Sequence, residues 1–112
     1  MERGQVILLL RTYANIDREI EFRRGMLPDE EAEQDVGFLM ELKKEISRGL
    51  CSLPYIQRDS IYRKYVKREK WERIRRSHNY SERNIRVIAN KALAALGVAL
   101  EDKAIVQDFL SR

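Results

Sequence analysis

The sequence predicts an all-α protein: an N-terminal helical hairpin, a helix-turn-helix domain and a short C-terminal helix. Three observations carry this. Apolar residues recur three and four positions apart over most of the chain, the spacing of one helix face. The 112 residues contain only 5 Gly and 2 Pro, too little punctuation for a many-stranded β protein. No stretch alternates apolar and polar residues as a half-buried strand would. Hydrophobic residues make up 44% of the chain, enough for a core. Charged residues reach 36%, more than the usual quarter.

The first helix is predicted from Val6, Leu9, Tyr13, Ile16 and Ile20, spaced 3, 4, 3 and 4. Arg11, Asp17, Arg18, Glu19 and Glu21 fill the remaining positions, and Gly25 and Pro28 are expected to stop it. Asp29, Glu30 and Glu31 suit the positive end of a second helix. The acidic run Asp29 to Glu33 is accordingly a helix start and not a metal site. The second helix has its apolar face at Ala32, Val36, Leu39, Leu42 and Ile46, with Gly49 expected to close it. A short connection makes the pair an antiparallel hairpin, residues 1–52. Two amphipathic helices leave apolar surface uncovered, so the hairpin must pack on the rest of the chain or on another copy.

Pro54 opens the next unit, residues 53–97. Ile61, Tyr62, Tyr65 and Val66 line one helix face, and Trp71 and Ile74 form a short element at i and i+3. Trp71, Tyr62 and Tyr65 read as core residues, the tyrosine hydroxyls reaching the surface. His78, Asn79 and Tyr80 break the pattern; Asn tolerates the left-handed backbone of a tight turn. His78, the only histidine, reads as a turn or packing residue. Ser81 is a good N-cap. Ile85, Ile88, Ala92, Leu93 and Leu96 then keep helical spacing to Gly97, expected to cap the helix. Residues 98–112 carry Ala104, Ile105, Asp108, Phe109 and Leu110, a short amphipathic helix.

Charge is unevenly spread. The total is 22 Lys+Arg against 18 Asp+Glu, a net of +4. Residues 1–54 hold 8 against 11, residues 55–97 hold 12 against 4, and residues 98–112 hold 2 against 3. The middle segment therefore carries +8 between two mildly acidic flanks. A concentration of this kind is the footprint of a polyanion partner.

Several function classes are disfavoured. A single cysteine, Cys51, builds neither an internal disulfide nor a structural zinc site and fits a reducing cytoplasm. The apolar run Val6 to Leu10 is far short of the roughly 20 residues of a membrane span, and it lacks the pattern of a signal peptide. No Gly-rich phosphate loop, metal-spaced Cys/His cluster or catalytic triad is legible, so the sequence points away from an enzyme and calls for no cofactor.

Lys70 to Leu96 reads as a short helix, a tight turn and a longer helix that opens with polar residues, the helix-turn-helix arrangement. Trp71 and Ile74 would brace Ile85 and Ile88. Glu82, Arg83, Asn84 and Arg86 would face the major groove of double-stranded DNA. Arg pairs with guanine, Asn with adenine, and Glu accepts from cytosine. Val87 at the groove edge either touches a thymine methyl or packs. Lys70, Arg73, Arg76, Ser81 and Lys91 are the candidate phosphate contacts.

Particular residues narrow the family. Leu53-Pro54, Tyr62-x-x-Tyr65, Trp71-Glu72-Arg73-Ile74, Tyr80-Ser81-Glu82-Arg83 and Lys91-Ala92-Leu93-Ala94-Ala95-Leu96 stand in order. So placed, Leu53 to Leu96 resembles region four of bacterial sigma factors, the part that reads the promoter's upstream element. The resemblance covers about 44 of the 112 residues. With Tyr-Ser-Glu-Arg-Asn and Lys-Ala-Leu, the chain also looks like phage late-gene transcription regulators of the ArpU/RinA type. The resemblance implies a phage- or prophage-encoded, sequence-specific regulator in the bacterial cytoplasm, with RNA polymerase as a further partner. A homodimer built on the hairpin and last helix would present two half-site readers. At this length there is room for one such reader and one docking element, not for a complete sigma factor.

Four positions depart from the family pattern. Arg68 stands where a Gly usually precedes the support helix. Lys70 replaces a Ser or Thr cap commonly worth about 1 kcal/mol. Arg75 replaces a small residue after the support-helix Ile, and His78 replaces a Leu before the turn. Two other functions fit an all-α chain of this size: a phage terminase small subunit, which would assemble as a ring, and a polymerase-binding adaptor that never touches DNA.

Overall fold

A computed structural model describes residues 1–26 and 30–112. Its elements are helical throughout, in the order α1 (Arg3–Met26), α2 (Glu30–Cys51), α3 (Tyr55–Ile61), a π turn (Tyr62–Val66), α4 (Trp71–His78), α5 (Glu82–Glu101) and α6 (Ala104–Leu110). The expected roles of Pro28 and Asp29 fall outside the described residues. Gly25 lies within α1, which runs one residue beyond it.

The hairpin is antiparallel, as its cross-links show. Tyr13 Oη and Ser47 Oγ share a hydrogen bond at 2.9 Å, Lys43 Nζ donates to Asp17 at 2.7 Å, and Arg23 donates to Asp35 at 2.8 Å. As the α1 number climbs through 13, 17 and 23, its partner in α2 falls through 47, 43 and 35. The Asp17 hydrogen bond holds the Lys43 ammonium above its usual pKa, against a lowering by burial.

The uncovered face of the hairpin is consumed within the chain. Val6, Leu9, Leu10 and Ile16 of α1 join Leu42, Ile46 and Leu50 of α2 in one buried cluster with Ile61, Tyr65, Leu93, Leu96, Leu100 and Val106. Residues from 1–52, 53–97 and 98–112 all contribute to this core.

Two glycines do something other than what the sequence suggested. Gly49 lies inside α2, and Gly97 lies inside α5, which continues a further turn to Glu101. Neither caps a helix. A Cβ on Gly49 would stand 2.8 Å from Leu96 Cδ1, and one on Gly97 would stand 3.2 Å from Val6 Cγ2. At these places α2 and α1 press against α5, and glycine permits that approach.

The segment between α3 and α4 is tied down by polar contacts. The π turn closes with the Lys67 amide donating to the Tyr62 carbonyl at 3.0 Å, and the Glu69 amide donates to the Arg63 carbonyl at 2.9 Å. Glu69 then receives both forks of the Arg63 guanidinium, at 2.8 and 3.0 Å. Asp59 stands 3.6 Å from the same guanidinium and bonds His78 Nε2 at 2.7 Å. His78 thus bridges α4 to α3, with the Tyr55 ring edge-on at 6.0 Å. It is the last residue of α4, directly before the turn.

No helix among the described residues is long and apolar enough to cross a membrane.

Candidate nucleic-acid interface

The site is built from α4, a three-residue turn and α5. Ile74 of α4 and Ile85 of α5 are both fully buried. The turn works as its residues predict. Asn79 takes the left-handed conformation, φ 57° and ψ 36°, and the Tyr80 amide donates back to the Arg75 carbonyl at 3.1 Å. Ser81 caps α5, its Oγ accepting from the Asn84 amide at 3.1 Å. That bond uses a lone pair of Ser81 and leaves the hydroxyl proton to donate elsewhere. Lys70, by contrast, stands at the start of α4 with no side-chain cap.

The buried face of α5 comprises Ile85, Ala89, Ala92, Leu93, Leu96, Gly97 and Leu100. At 100° per residue, the direction opposite that face passes through Arg83, Val87 and Lys91, with Asn84 beside them. All four are exposed. The side chains of Arg83, Asn84 and Lys91 have no polar partner among the described residues. Glu82 and Arg86 lie to one flank, where they pair at 3.5 Å. Arg86 also stands over the Trp71 ring, 5.4 Å from its centroid. The base-reading candidates therefore divide into an outward stripe and a flanking pair.

The phosphate candidates divide as well. Lys70 and Lys91 are exposed and unpaired among the described residues. Arg73 and Arg76 are exposed by 78% and 73%, and they pair with Glu69 at 3.3 Å and Glu72 at 2.9 Å. The Arg76–Glu72 pair is a surface pair, worth little and readily exchanged for a phosphate, whereas Arg73 is exposed but meets a Glu69 carboxylate that is only 15% exposed. Arg75 is held differently. Glu72 takes both its forks, at 2.8 and 2.7 Å, within the same helix. Arg75 and, less strongly, Arg76 hold the Glu72 carboxyl below the usual carboxylate range, while burial pushes the other way.

Of the twelve Lys and Arg in residues 55–97, five pair with the four carboxylates of that segment: Arg63, Arg73, Arg75, Arg76 and Arg86. The other seven hold no ion pair among the described residues, and they include Lys64, Arg68, Lys70, Arg83 and Lys91.

Sequence reasoning missed part of this surface. Trp71, expected in the core, is half-buried: it packs against the core, and Lys64 and Arg86 stand 5.0 and 5.4 Å from its ring centroid. Arg68, flagged only as a departure, has φ 59°, the left-handed region that favours glycine. Arg3 of α1 donates to Asn90 of α5 at 3.3 Å and to Tyr65 Oη at 3.3 Å, which lays the first helix beside the candidate interface. No local signal could have found these contacts, since they join residues 62 and 87 positions apart.

Comparison with family models, with curated proteins and with solved structures returns no match for this chain.

Proposed function

We propose that the protein is a sequence-specific DNA-binding transcription regulator that inserts α5 into the major groove. The observation that carries this is the outer stripe of α5: Arg83, Asn84, Val87 and Lys91 stand exposed on a capped, core-anchored helix, within the segment of net charge +8. Exposed long polar side chains at the front of the second helix of such a pair are what base-edge recognition requires. Arg83 and Asn84 are the base readers, with Arg86 and Glu82 at the groove flank and Val87 against a thymine methyl. Lys70, Arg73, Arg76, Lys91 and the Ser81 hydroxyl meet phosphates. The sigma region four resemblance adds RNA polymerase as a second partner and a phage or prophage setting in the bacterial cytoplasm. A homodimer would match a two-fold target.

Selection from a pool of randomised duplexes tests the reading. Enrichment of one short motif, with two copies of the chain per two-fold site by sedimentation, is the expected result. Retention of duplexes with no shared motif would contradict it.

A further inference from the structure

The cationic surface does not end at α5. On the other side of Trp71 an open cleft of about 460 Å³ lies between α1 and the π turn, lined by Arg11, Lys64, Tyr65 and Arg68. Three of these four side chains are cations, none is a carboxylate, and none of the three cations holds an ion pair among the described residues. Cations gathered in one concavity raise a positive potential that favours an anion from outside.

The placement is fixed by the fold. Tyr65 is buried and forms the wall, and Arg3 of α1 donates to its hydroxyl at 3.3 Å. Two helical turns further along α1, Arg11 reaches the cleft. Lys64 has its ammonium 5.0 Å from the Trp71 centroid, and Arg86 stands 5.4 Å from the same ring. The cations therefore run as a track from the start of α5, across Trp71, into the cleft. A track of this kind matches a chain of regularly spaced phosphates better than a single small anion.

We propose that the cleft of Arg11, Lys64 and Arg68 binds backbone phosphates of DNA flanking the bases read by α5, so that α1 forms part of the DNA interface. The proposal rests on α5 facing DNA. It assigns to the first helix a direct part in binding, beyond packing.

The test is the salt dependence of binding for the double variant Arg11→Gln/Arg68→Gly, followed by fluorescence anisotropy on the selected duplex and on a scrambled one. The slope of log K against log salt should fall by about 1.8 for two lost phosphate contacts, at about 0.9 each, on both duplexes. The ratio of the two affinities should not change. Lys64→Gln alone should lower the slope by about 0.9, which keeps the test open if the double variant fails to fold. An unchanged slope in folded variants overturns the cleft while leaving the role of α5 standing. A wild-type chain that binds no duplex overturns both.

Discussion

Arg68 shows at the residue scale how a local rule can be broken and still be read. Its φ of 59° places a long cationic side chain in the left-handed region that favours Gly. A non-glycine residue in this region costs roughly 1–2 kcal/mol. Arg68→Gly is therefore expected to raise stability by about 1 kcal/mol, less the entropy that glycine returns to the unfolded chain. The urea midpoint measures it, and a lower midpoint would show that the Arg68 side chain contributes more to the fold than its backbone costs. Asn79 meets a similar demand, φ 57°, with a residue that tolerates it.

At the scale of elements, the link between the π turn and α4 depends on one carboxylate. Glu69 takes both forks of Arg63, whose hydrogen bonds are the largest reason its carboxyl sits below the usual carboxylate range. The Arg63, Arg73 and Lys67 charges lower it further, and burial opposes them. A depressed pKa in the folded state contributes stability that is present above the unfolded value. That stability is lost as pH falls below the ordinary Glu range and through the folded value. Glu69→Gln should cost about 1–3 kcal/mol at neutral pH, since it leaves a largely buried guanidinium with only the more distant Asp59 as its anion. The variant should also flatten the acid limb of the stability–pH profile. Equal acid sensitivity in variant and wild type would show that Glu69 is not the group responsible.

The same scale shows what the sequence discloses. The faces of α1 and α2 are legible because burial on one side imposes the three-and-four spacing: Val6, Leu9, Ile16, Leu42 and Ile46 are all buried. The turn is legible because Asn79 and Ser81 are chosen for local backbone demands. The π turn is not, because widening one helical turn leaves no mark on the apolar pattern. The Arg63–Glu69 pair spans six positions, outside helical pairing rules. In the candidate site, the exposed front of α5 follows from the pattern, whereas the stacking of Arg86 on Trp71 joins residues 15 positions apart and leaves no local mark.

Over the whole molecule, the decisive feature is that the hairpin and the helix-turn-helix share one core. Gly49 and Gly97 lie inside helices and not at their ends because a glycine's role here is set by what approaches it from distant sequence. At Gly49, Leu96 and Leu100 arrive from α5; at Gly97, Val6 arrives from α1. Gly49→Val should force these side chains off their rotamers and cost about 1–3 kcal/mol. Because one core links all helices, the loss should lower a single cooperative thermal transition and not split it. Two separate transitions in calorimetry would show that the hairpin and the helix-turn-helix unfold independently.

The central claim, that the outer stripe of α5 reads base sequence, is tested most directly by the ratio of affinities for selected and scrambled duplex in two variants. Arg83→Ala should lose about 1–3 kcal/mol on the selected duplex with little change on the scrambled one. Lys91→Ala should weaken both alike and lower the salt slope by about 1. Equal losses on both duplexes for Arg83→Ala would contradict base readout by this helix.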